Sequence, residues 1–376
     1  MTEGSLKFPK LVIKAIKIYK LDIPLKDIFT IATMSLDRAQ NVLVEIMTSE
    51  GIRGWGEASS LRSIVGETQR INLAAAKELE QILVGKNPLA INTRVQEMDA
   101  YLPHNTTLKS AVDMALFDIA AQVAGLPLYS FLGGHRREME TDLTIGIGDP
   151  EEAGDKALAI RSMGFRIIKV KLGLDFEDDC RRLMNIRKAV GAEPVIRIDA
   201  NQGWDRVSAV RNLDAFKEFD IEFCEQPCRA QDHQGMRFVS HRSVIPIMAD
   251  ESLFSMHDAL EIIQQDAAPY FNLKLSKSGG IHNVRKIAHV AEAGYRPCMM
   301  GCMSESRLGI AAAAHFAMSN NVVRFFDLDS FCEHAENPML GSVEIKNGMI
   351  AVPDQPGIGV HPDPEYIQHL DEVKSC

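Results

Sequence analysis

Residues 165–173 have the sequence FRIIKVKLG, which predicts a buried strand whose end carries two lysines. Side chains on a strand alternate between its two faces, so Lys169 and Lys171 point to one face while Val170 points to the other. Like charges on one surface disfavour each other and burial adds to the effect, so a lysine in such a pair can lose its proton near pH 7 and act as a base. The alternative is a strand that ends at the surface with both amines in water.

The same kind of strand recurs from Thr141 onward. Eight strand-like runs alternate with amphipathic segments at intervals of about 20 to 30 residues, which predicts a (β/α)8 TIM-type barrel of roughly 250 residues. An open doubly wound sheet is the alternative, but no glycine-rich phosphate-binding fingerprint follows an early strand. The eight runs are TDLTIGI, FRIIKVKL, PVIRIDAN, IEFCEQP, IPIMADES, YFNLKLSKSGG, RPCMMGCM and VVRFFDLDS.

The residues on either side of the barrel show a different pattern. Residues 1–130 mix strands and helices without a regular alternation, which predicts an α+β domain, and residues 131–340 hold the barrel. Residues 341–376 contain a predicted hairpin turn at Asn347-Gly348. We expect this last segment to leave the barrel and return to the first domain.

The composition narrows the class of protein. Of the 376 residues, 46% are hydrophobic and 24% charged, as in a globular chain with one large and one smaller domain. A formal net charge of −10 and the lack of a basic patch argue against nucleic acid as a partner. No apolar run reaches the roughly 18 residues that a membrane span needs. The first residues, MTEGSLKFPK, lack the apolar part of a signal peptide, so we expect a cytoplasmic protein, and a homo-oligomer is the expected assembly.

The seven cysteines are scattered through regular segments, which favours reduced thiols over a disulfide framework. Cys224 and Cys228, like Cys298 and Cys302, are four residues apart and could suggest zinc. Neither pair has the tight knuckle spacing or a matching histidine pair, so we do not expect a structural zinc site.

Charged side chains stand at the ends of six of the eight predicted strands. In such barrels the chemistry takes place where the strands end. A single aspartate there could simply cap the next helix, but capping does not explain six strand ends with this pattern of signs. These strand ends contain Lys169, Lys171, Asp199, Asn201, Glu225, Asp250, Glu251, Lys274, Asp327 and Asp329.

Three of these carboxylates predict a metal site. Asp199, Glu225 and Asp250 come from three consecutive strands and are therefore neighbours around the rim of the barrel. Three carboxylates in one place repel one another unless a positive charge lies between them. A hard divalent cation with oxygen ligands fits this requirement, and we predict one Mg²⁺.

Two lysines predict acid–base chemistry. Lys171 and Lys274 come from the second and sixth strands, which lie opposite each other in a ring of eight, with the metal on the wall between them. A carbon acid whose carboxylate binds the metal would lose its α-proton to one lysine and regain a proton from the other, through an enediolate. We predict Lys171 and Lys274 as the two bases, and Lys169 as the charged neighbour that favours a neutral Lys171 and contacts the substrate carboxylate.

Asp327 and Asp329 predict a binding site for an ammonium group. They end the eighth strand, which lies opposite the fourth, so they face the metal across the cavity. By strand alternation both point the same way and form an anionic pocket. A substrate that reaches from the metal to this pocket has a carboxylate at one end and an amine at the other, as a dipeptide has.

These motifs together resemble the enolase superfamily, muconate-lactonizing subgroup, over essentially the whole chain. The motifs are KVK, DANQGW, EQP, ADES, NLKLSKSGG and MMGCMSESRLG, with GWGEA and DMALFDIAAQVAGLPLYSFLGG upstream. The DLD at Asp327 to Asp329 is similar to the Asp-x-Asp of the dipeptide epimerases, of which L-Ala-D/L-Glu epimerase is the best-known type. The resemblance implies a capping domain whose loops close over the barrel mouth, and epimerisation of the C-terminal residue of a dipeptide. It also implies that Asp199, Glu225 and Asp250 bind Mg²⁺, that Lys171 and Lys274 are the two bases, and that Asp327 and Asp329 hold the α-ammonium.

One stretch departs from the Ala-Glu epimerases. Their capping loop supplies an arginine for the side-chain carboxylate of the substrate, whereas this chain has FTIATM at residues 29–34, with Met34 aligned to that arginine. An apolar loop would leave the buried carboxylate of a glutamate side chain unpaired, which would weaken binding by several kcal/mol. We therefore predict an Ala-Xaa substrate with a small or branched apolar Xaa, contacted by Ile31, Met34 and Met303. Arg38 is the alternative partner for a substrate carboxylate.

Other activities on this scaffold stay open: L-Ala-D/L-Glu epimerase proper, N-acylamino acid racemase and o-succinylbenzoate synthase. The substrates of the last two carry no free α-ammonium, so they do not require paired aspartates, and muconate cycloisomerisation is less favoured for the same reason. A barrel that binds a metal or a peptide without turnover is a further alternative, but both candidate bases and all three metal carboxylates are present.

Several nearby features have structural interpretations. The glycines of GWGEA predict a tight turn with Trp55 packed beneath it, although a substrate loop is the alternative. Glu305 could position the loop above the site or cap a helix. His289 and His315 lie within helical runs and are expected to be packing residues.

Overall fold

The computed structural model describes residues 11–341, 343–370 and 372. The first ten residues, on which the prediction about a signal peptide rests, lie outside this part, as does Cys376. Among the described residues, no helix is both long and apolar enough to cross a membrane. The six described cysteines are free thiols, as predicted.

The N-terminal part is a three-stranded antiparallel sheet covered by helices. Its elements are β1 (Ile13–Ile31), β2 (Met34–Thr48), β3 (Arg53–Ser59), α1 (Arg62–Val65), α2 (Gln69–Leu83), α3 (Ile91–Tyr101), α4 (Thr106–Ala124) and α5 (Leu128–Phe131). The strands pair in the order β1-β2-β3, and β1 and β2 form one long hairpin whose tip is at residues 31–34. Helix α4 packs on β3 and β2, and α2 packs on β1.

The GWGEA motif lies inside β3 and not in the tight turn that its glycines predict. A Cβ atom at Gly54 or Gly56 would overlap the carbonyl oxygens of Ala115 and Ala111 on α4. The two glycines therefore allow helix and strand backbones to approach closely. Trp55 is buried, and its ring centroid lies 6.3 Å from that of Tyr19 on β1.

Eight parallel strands follow and form the barrel. They run in sequence order across one sheet, in which each strand pairs with the next one along the chain. The barrel elements are β4 (Leu143–Ile145), α6 (Ala153–Ser162), β5 (Ile167–Lys171), α7 (Phe176–Val190), β6 (Val195–Asp199), α8 (Arg206–Phe216), β7 (Ile221–Glu225), α9 (His233–Ser240), β8 (Ile247–Ala249), α10 (Met256–Gln265), β9 (Tyr270–Leu273), α11 (Leu275–Ser278), α12 (Ile281–Ala293), β10 (Cys298–Met300), α13 (Arg307–Met318) and β11 (Val323–Phe326).

The first and last barrel strands come together through two hydrogen bonds. The Asp142 N–H donates to the Phe326 carbonyl oxygen at 3.4 Å, and the Leu328 N–H donates to Thr141 Oγ1 at 2.9 Å. All eight predicted strands are present, so the TIM-type barrel with an N-terminal α+β domain is confirmed. Strand β11 is followed by a 3₁₀ turn at Ser330–Cys332.

The C-terminal segment returns to the N-terminal part of the chain. It contains β13 (Glu344–Lys346), β14 (Met349–Ala351), β15 (His361–Pro362) and α14 (Pro364–Ile367), and it is preceded by β12 (Met339–Leu340), which pairs with β15. The Leu128 N–H donates to the Gly357 carbonyl oxygen at 2.8 Å, and the Ile358 N–H donates to Asp118 Oδ1 at 2.8 Å. The domain boundaries at residues 130 and 340 stay predictions.

His315 on α13 joins these parts and is fully buried. Its Nδ1 accepts a hydrogen bond from the Tyr129 N–H at 3.2 Å, and its Nε2 lies 3.0 Å from the Ile358 carbonyl oxygen, to which it donates. Its ring stacks on Tyr129, with 5.6 Å between centroids. Burial lowers the pKa of His315 to about 4. His315 is therefore a packing residue in its neutral form, whereas His289 is exposed on α12.

His315 makes the fold sensitive to acid. The unfolded chain binds a proton on this side chain near the ordinary pKa of about 6.5, whereas the folded chain binds it only near pH 4. The free energy of unfolding should therefore fall as the pH drops from about 6.5 towards 4, by about 3 kcal/mol in total. Urea unfolding at pH 7.5 and pH 5 would measure this loss, which should be smaller in His315→Gln. An equal loss in the variant would contradict the assignment.

Candidate active site

The two lysines of FRIIKVKLG point into the barrel. All five residues of β5 are buried, and Ile168 and Val170 face the outer helices by alternation. In the parallel register Lys171 lies beside Asp199 on β6, and Asp199 lies beside Glu225 on β7. The predicted residues are therefore neighbours across adjacent strands.

Asp199, Glu225 and Asp250 lie at the carboxyl ends of consecutive strands and are completely buried. In the described structure each carboxylate forms a salt bridge with a different lysine, because an unpaired buried charge is costly. The pairs are Lys171 Nζ with Asp199 Oδ2 at 2.6 Å, Lys169 Nζ with Glu225 Oε2 at 2.7 Å, and Lys274 Nζ with Asp250 Oδ2 at 2.8 Å.

The carboxylates at these strand ends repel one another, so the site favours an additional positive charge. Burial, and then the charge of Asp199, raise the pKa of Glu225 to about 7. Burial, and then the charge of Asp250, raise the pKa of Glu251 to about 8. Among the described residues, Asn201 Oδ1 and Glu251 Oε2 are buried oxygens that lack a hydrogen-bond partner. An all-oxygen donor set with excess negative charge fits a hard divalent cation.

Lys169 lies beneath the other groups, with 1% of its side chain exposed. Its Nζ lies 2.7 Å from Glu225 Oε2, 2.6 Å from Asp327 Oδ2 and 3.5 Å from Asp199 Oδ2. Burial lowers the pKa of Lys169, but these carboxylates outweigh burial and hold the pKa well above its usual value. Lys169 is therefore a buried cation, and its predicted role as the charged neighbour of Lys171 stays a prediction. Its contact with a substrate carboxylate stays a prediction.

One cavity at the barrel mouth brings most of the predicted residues together. Lys171 and Lys274 line it from opposite sides of the barrel, because β5 and β9 are four strands apart. Asp327 and Asp329 line the cavity at a position between the two lysines. The hairpin tip of β1 and β2 covers it with apolar side chains. The apolar lining consists of Leu25, Phe29, Ile31, Met34, Leu36, Leu61, Ile64 and Met303, which includes all three predicted apolar contacts.

The two aspartates after β11 have different partners. Burial raises the pKa of Asp327, but Lys169 and two other lysines outweigh it and lower the pKa to about 2. Asp329 Oδ2 accepts a hydrogen bond from the Thr144 N–H at 2.7 Å. Burial, and then the charge of Asp327, raise the pKa of Asp329 to about 7. Since Asp329 forms no salt bridge with any described residue, this end of the cavity favours a cationic ligand.

Arg38 does not line this cavity. Its side chain is 48% exposed and its guanidinium lies 3.5 Å from Asp37 Oδ2. Met34 lies on the cavity wall instead. The alternative partner for a substrate carboxylate is therefore turned to solvent in this structure.

Two residues that bind the predicted metal carboxylates were missed in the sequence. Asn272 Nδ2 donates to Glu225 Oε1 at 2.6 Å, and Lys277 Nζ donates to Asp250 Oδ1 at 2.6 Å. Asn272 precedes Lys274 by two residues, so strand alternation could have placed it inside the barrel. Lys277 could not be found this way, because it reaches Asp250 only through the short helix α11.

The loop after β10 is held by the N-terminal domain. Glu57 on β3 accepts hydrogen bonds from Ser306 Oγ at 2.6 Å and from the Gly309 N–H at 3.0 Å, at the start of α13. Glu305 accepts from the Met303 N–H at 2.5 Å. Ser306, and not Glu305, caps α13. Glu305 therefore positions the loop that carries Met303.

The floor of the site is a buried cation among aromatic rings. Arg197 on β6 forms salt bridges with Asp142 at 2.9 Å and with Glu222 at 2.7 Å. Its guanidinium carbon lies 5.2 Å from the ring centroid of Phe223 and 5.5 Å from that of Phe325. This layer closes the barrel below Lys169.

Two family profiles match the chain. The profile described as enolase C-terminal domain-like matches residues 152–366, and that of the mandelate racemase / muconate lactonizing enzyme N-terminal domain matches residues 14–133. These matches correspond to the barrel and to the preceding α+β part.

Characterised relatives and solved structures are similar over nearly the whole chain. The D-Ala-D/L-Ala epimerase of Cytophaga hutchinsonii is 38% identical, covering 96% of this chain and 99% of the relative. A crystal structure of a dipeptide epimerase from that organism, with Mg and D-Ala-L-Val, has a TM-score of 0.95 at the same identity and coverage. The hydrophobic dipeptide epimerase of Enterococcus faecalis is 36% identical, covering 93% of this chain and 99% of the relative. A dipeptide epimerase structure from that organism, with Mg and L-Leu-L-Tyr, has a TM-score of 0.90.

A third relative is an epimerase with an acidic substrate. The L-Ala-D/L-Glu epimerase of Bacillus subtilis is 37% identical, covering 91% of this chain and 94% of the relative. The structure of its substrate-liganded complex is 36% identical and has a TM-score of 0.91, covering 93% of this chain and 98% of that chain.

Replacing Arg197 with methionine tests the floor of the site. The variant leaves Asp142 buried without its cation, so the free energy of unfolding should fall by about 3 kcal/mol or more in urea unfolding at pH 7.5. The control is Arg181→Met, because Arg181 is 53% exposed and pairs with Asp178 on the surface. Its loss should stay below about 1 kcal/mol. Equal losses in the two variants would contradict the buried role of Arg197.

Proposed function

This chain belongs to the mandelate racemase and muconate lactonizing enzyme family of the enolase superfamily, and on that premise we propose that it is a magnesium-dependent dipeptide epimerase. The observation that carries the proposal is the cavity itself. It places two lysines on opposite walls and, at one end, a pair of aspartates of which Asp329 has no cationic partner among the described residues. Relatives at 36 to 38% identity are dipeptide epimerases.

The carboxylates at the ends of β6, β7 and β8 would hold the metal. Asp199, Glu225 and Asp250 supply oxygen donors from three adjacent strands, and neighbour structures contain Mg with a dipeptide. Held by these residues, Mg²⁺ would supply Lewis-acid chemistry that offsets the negative charge developing on the substrate as the α-proton leaves. Asn272 and Lys277 would orient Glu225 and Asp250 through their hydrogen bonds.

Lys171 and Lys274 would move the proton. The α-carbon of the C-terminal residue would lie between the two Nζ atoms, so that one lysine accepts the α-proton and the other donates a proton to the opposite face. Inversion at this carbon follows from the opposite positions of β5 and β9. The lysines now bind Asp199 and Asp250, and each must be free of its proton before it can act as a base.

Asp327 and Asp329 would hold the α-ammonium of the dipeptide. Two carboxylates at the far end of the cavity fix the distance between the ammonium and the substrate carboxylate. N-acylamino acid racemisation and o-succinylbenzoate synthesis have no ammonium to place there. The paired aspartates therefore favour a dipeptide over both alternatives.

We infer an apolar C-terminal residue, as in Ala-Val or Ala-Leu. The β1–β2 hairpin contributes Phe29, Ile31 and Met34 to the cavity wall. Among the described residues that line the cavity, Lys171 and Lys274 are the two with a lysine or arginine side chain. A glutamate side chain would therefore lack a dedicated cation. A relative named hydrophobic dipeptide epimerase agrees with this inference. A homo-oligomer in the cytoplasm remains a proposal from the sequence.

Solvent deuterium tests the proposed reaction. The Mg²⁺-loaded protein, incubated in D₂O with a mixed L-Ala-L-Xaa library, should add one deuteron to apolar dipeptides, as read by mass spectrometry. Lys171→Met and Lys274→Met should each lower epimerisation at least about 100-fold, yet each should still exchange deuterium into one epimer. Lys217→Met, an exposed lysine, is the matched control. A protein that exchanges no dipeptide but does exchange N-acylamino acids would overturn the proposal.

Substitution of Met34 tests the specificity. The wild-type kcat/KM for Ala-Leu should exceed that for Ala-Glu at least tenfold, and Met34→Arg should shift the ratio towards Ala-Glu by about 10- to 100-fold, because it adds a cation at the cavity wall. Ile28→Arg is the control, since Ile28 is 72% exposed on the same hairpin. A wild-type preference for Ala-Glu would refute the inference.

A further inference from the structure

Three buried side chains at one end of the cavity form a cluster that the proposed reaction does not fully use. Cys302, Asp327 and Asp329 each offer one ligand atom, and these atoms all lie within 4.8 Å of one another. The three residues are 9%, 4% and 4% exposed, and all line the same cavity. Cys302 Sγ lies 3.6 Å from Asp329 Oδ1.

The charge of this cluster favours a cation. Asp327 shares the ammonium of Lys169 with Glu225 and Asp199, so one positive charge is divided among three carboxylates. Among the described residues, the side chain of Asp329 accepts from neutral donors alone, the Thr144 N–H and the Cys302 thiol. The cluster therefore keeps excess negative charge in a buried place, where a ligand cation is held more strongly than at the surface.

The ligand atoms are also held in place before any cation arrives. The Thr144 N–H fixes Asp329 from β4. The loop that carries Cys302 is fixed on its other side, because the Ser304 N–H donates to Ser59 Oγ at 3.1 Å and the Met303 N–H donates to Glu305. A site with pre-positioned ligands loses little conformational entropy on binding.

We propose that Cys302, Asp327 and Asp329 form a second cation site, which binds a thiophilic divalent cation such as Zn²⁺. One thiolate and two carboxylates give three protein ligands with a fourth position open to the cavity, a set that suits zinc. The thiolate distinguishes this site from the all-oxygen set at Asp199, Glu225 and Asp250, which suits magnesium. Binding forms a zinc–sulfur bond and releases the thiol proton to solvent.

The proposed occupant would inhibit the enzyme. The cation would take the place that the proposed function gives to the α-ammonium of the dipeptide, so zinc and substrate should compete. This consequence rests on the proposed function. The cation site itself does not, because its ligands can be tested without any substrate.

Cadmium gives a direct readout of the thiolate. The protein is held in saturating Mg²⁺ and titrated with Cd²⁺, and the ultraviolet absorption of the cadmium–thiolate bond is recorded. The wild type should show one saturating step that Cys302→Ser lacks. Cys298→Ser is the matched control, because Cys298 is fully buried on β10, where its Sγ lies 3.5 Å from the Arg296 carbonyl oxygen. Retention of the step in Cys302→Ser would overturn the proposal.

Inhibition by zinc supplies the second readout. In saturating Mg²⁺, Zn²⁺ should raise the KM for the dipeptide without changing kcat. The inhibition constant of Zn²⁺ should rise at least tenfold in Cys302→Ser. The rates of this variant are compared with its own rate without zinc. Inhibition that excess Mg²⁺ removes and that Cys302→Ser leaves unchanged would place zinc at the magnesium ligands and refute the site. A cadmium step that depends on Cys302, in a protein that turns over no dipeptide, would support the site and refute the proposed function.

Discussion

The structure depends on the pairing of buried charges across adjacent barrel strands. Lys171 with Asp199 and Lys274 with Asp250 are buried in the barrel, where an unpaired charge would cost far more than at the surface. The parallel register brings each cation beside its carboxylate. A shift of one residue in β5 would turn both lysines towards the outer helices and leave the carboxylates without cations. Charge pairing and strand register therefore specify each other.

The pairing of buried charges also distinguishes the predicted metal site from the end of the cavity that holds Asp329. Carboxylates that would bind the metal are satisfied by lysines that would later act on the substrate, so the protein holds both sets near the reaction without unpaired charge. Asp329 and Glu251 are exceptions, because neither forms a salt bridge with a described residue. An uncompensated carboxylate lowers stability, and a bound ammonium or metal cation would restore the balance. A departure from good pairing thus marks the place where a ligand belongs.

The N-terminal domain completes the site in two ways. Its hairpin tip supplies the apolar wall, including Ile31 and Met34. Its buried Glu57 binds the start of α13 and so fixes the loop after β10, which carries Met303. Specificity and loop position therefore both depend on how this domain packs on the barrel.

The barrel and the charged strand ends could be predicted from the sequence, because strand alternation and the repeat of strand and helix depend only on local order. The sequence also placed Lys171, Lys274, Asp327 and Asp329 in one cavity, since strand number fixes position around a closed ring. Tertiary packing, in contrast, set the partners of Lys169, whose cation is held by carboxylates from three other strands. It also decided that GWGEA is a strand under a close-packed helix, and that Lys277 and Cys302 reach the site. Contacts between residues far apart in sequence set these outcomes, and periodicity carries no information about such contacts.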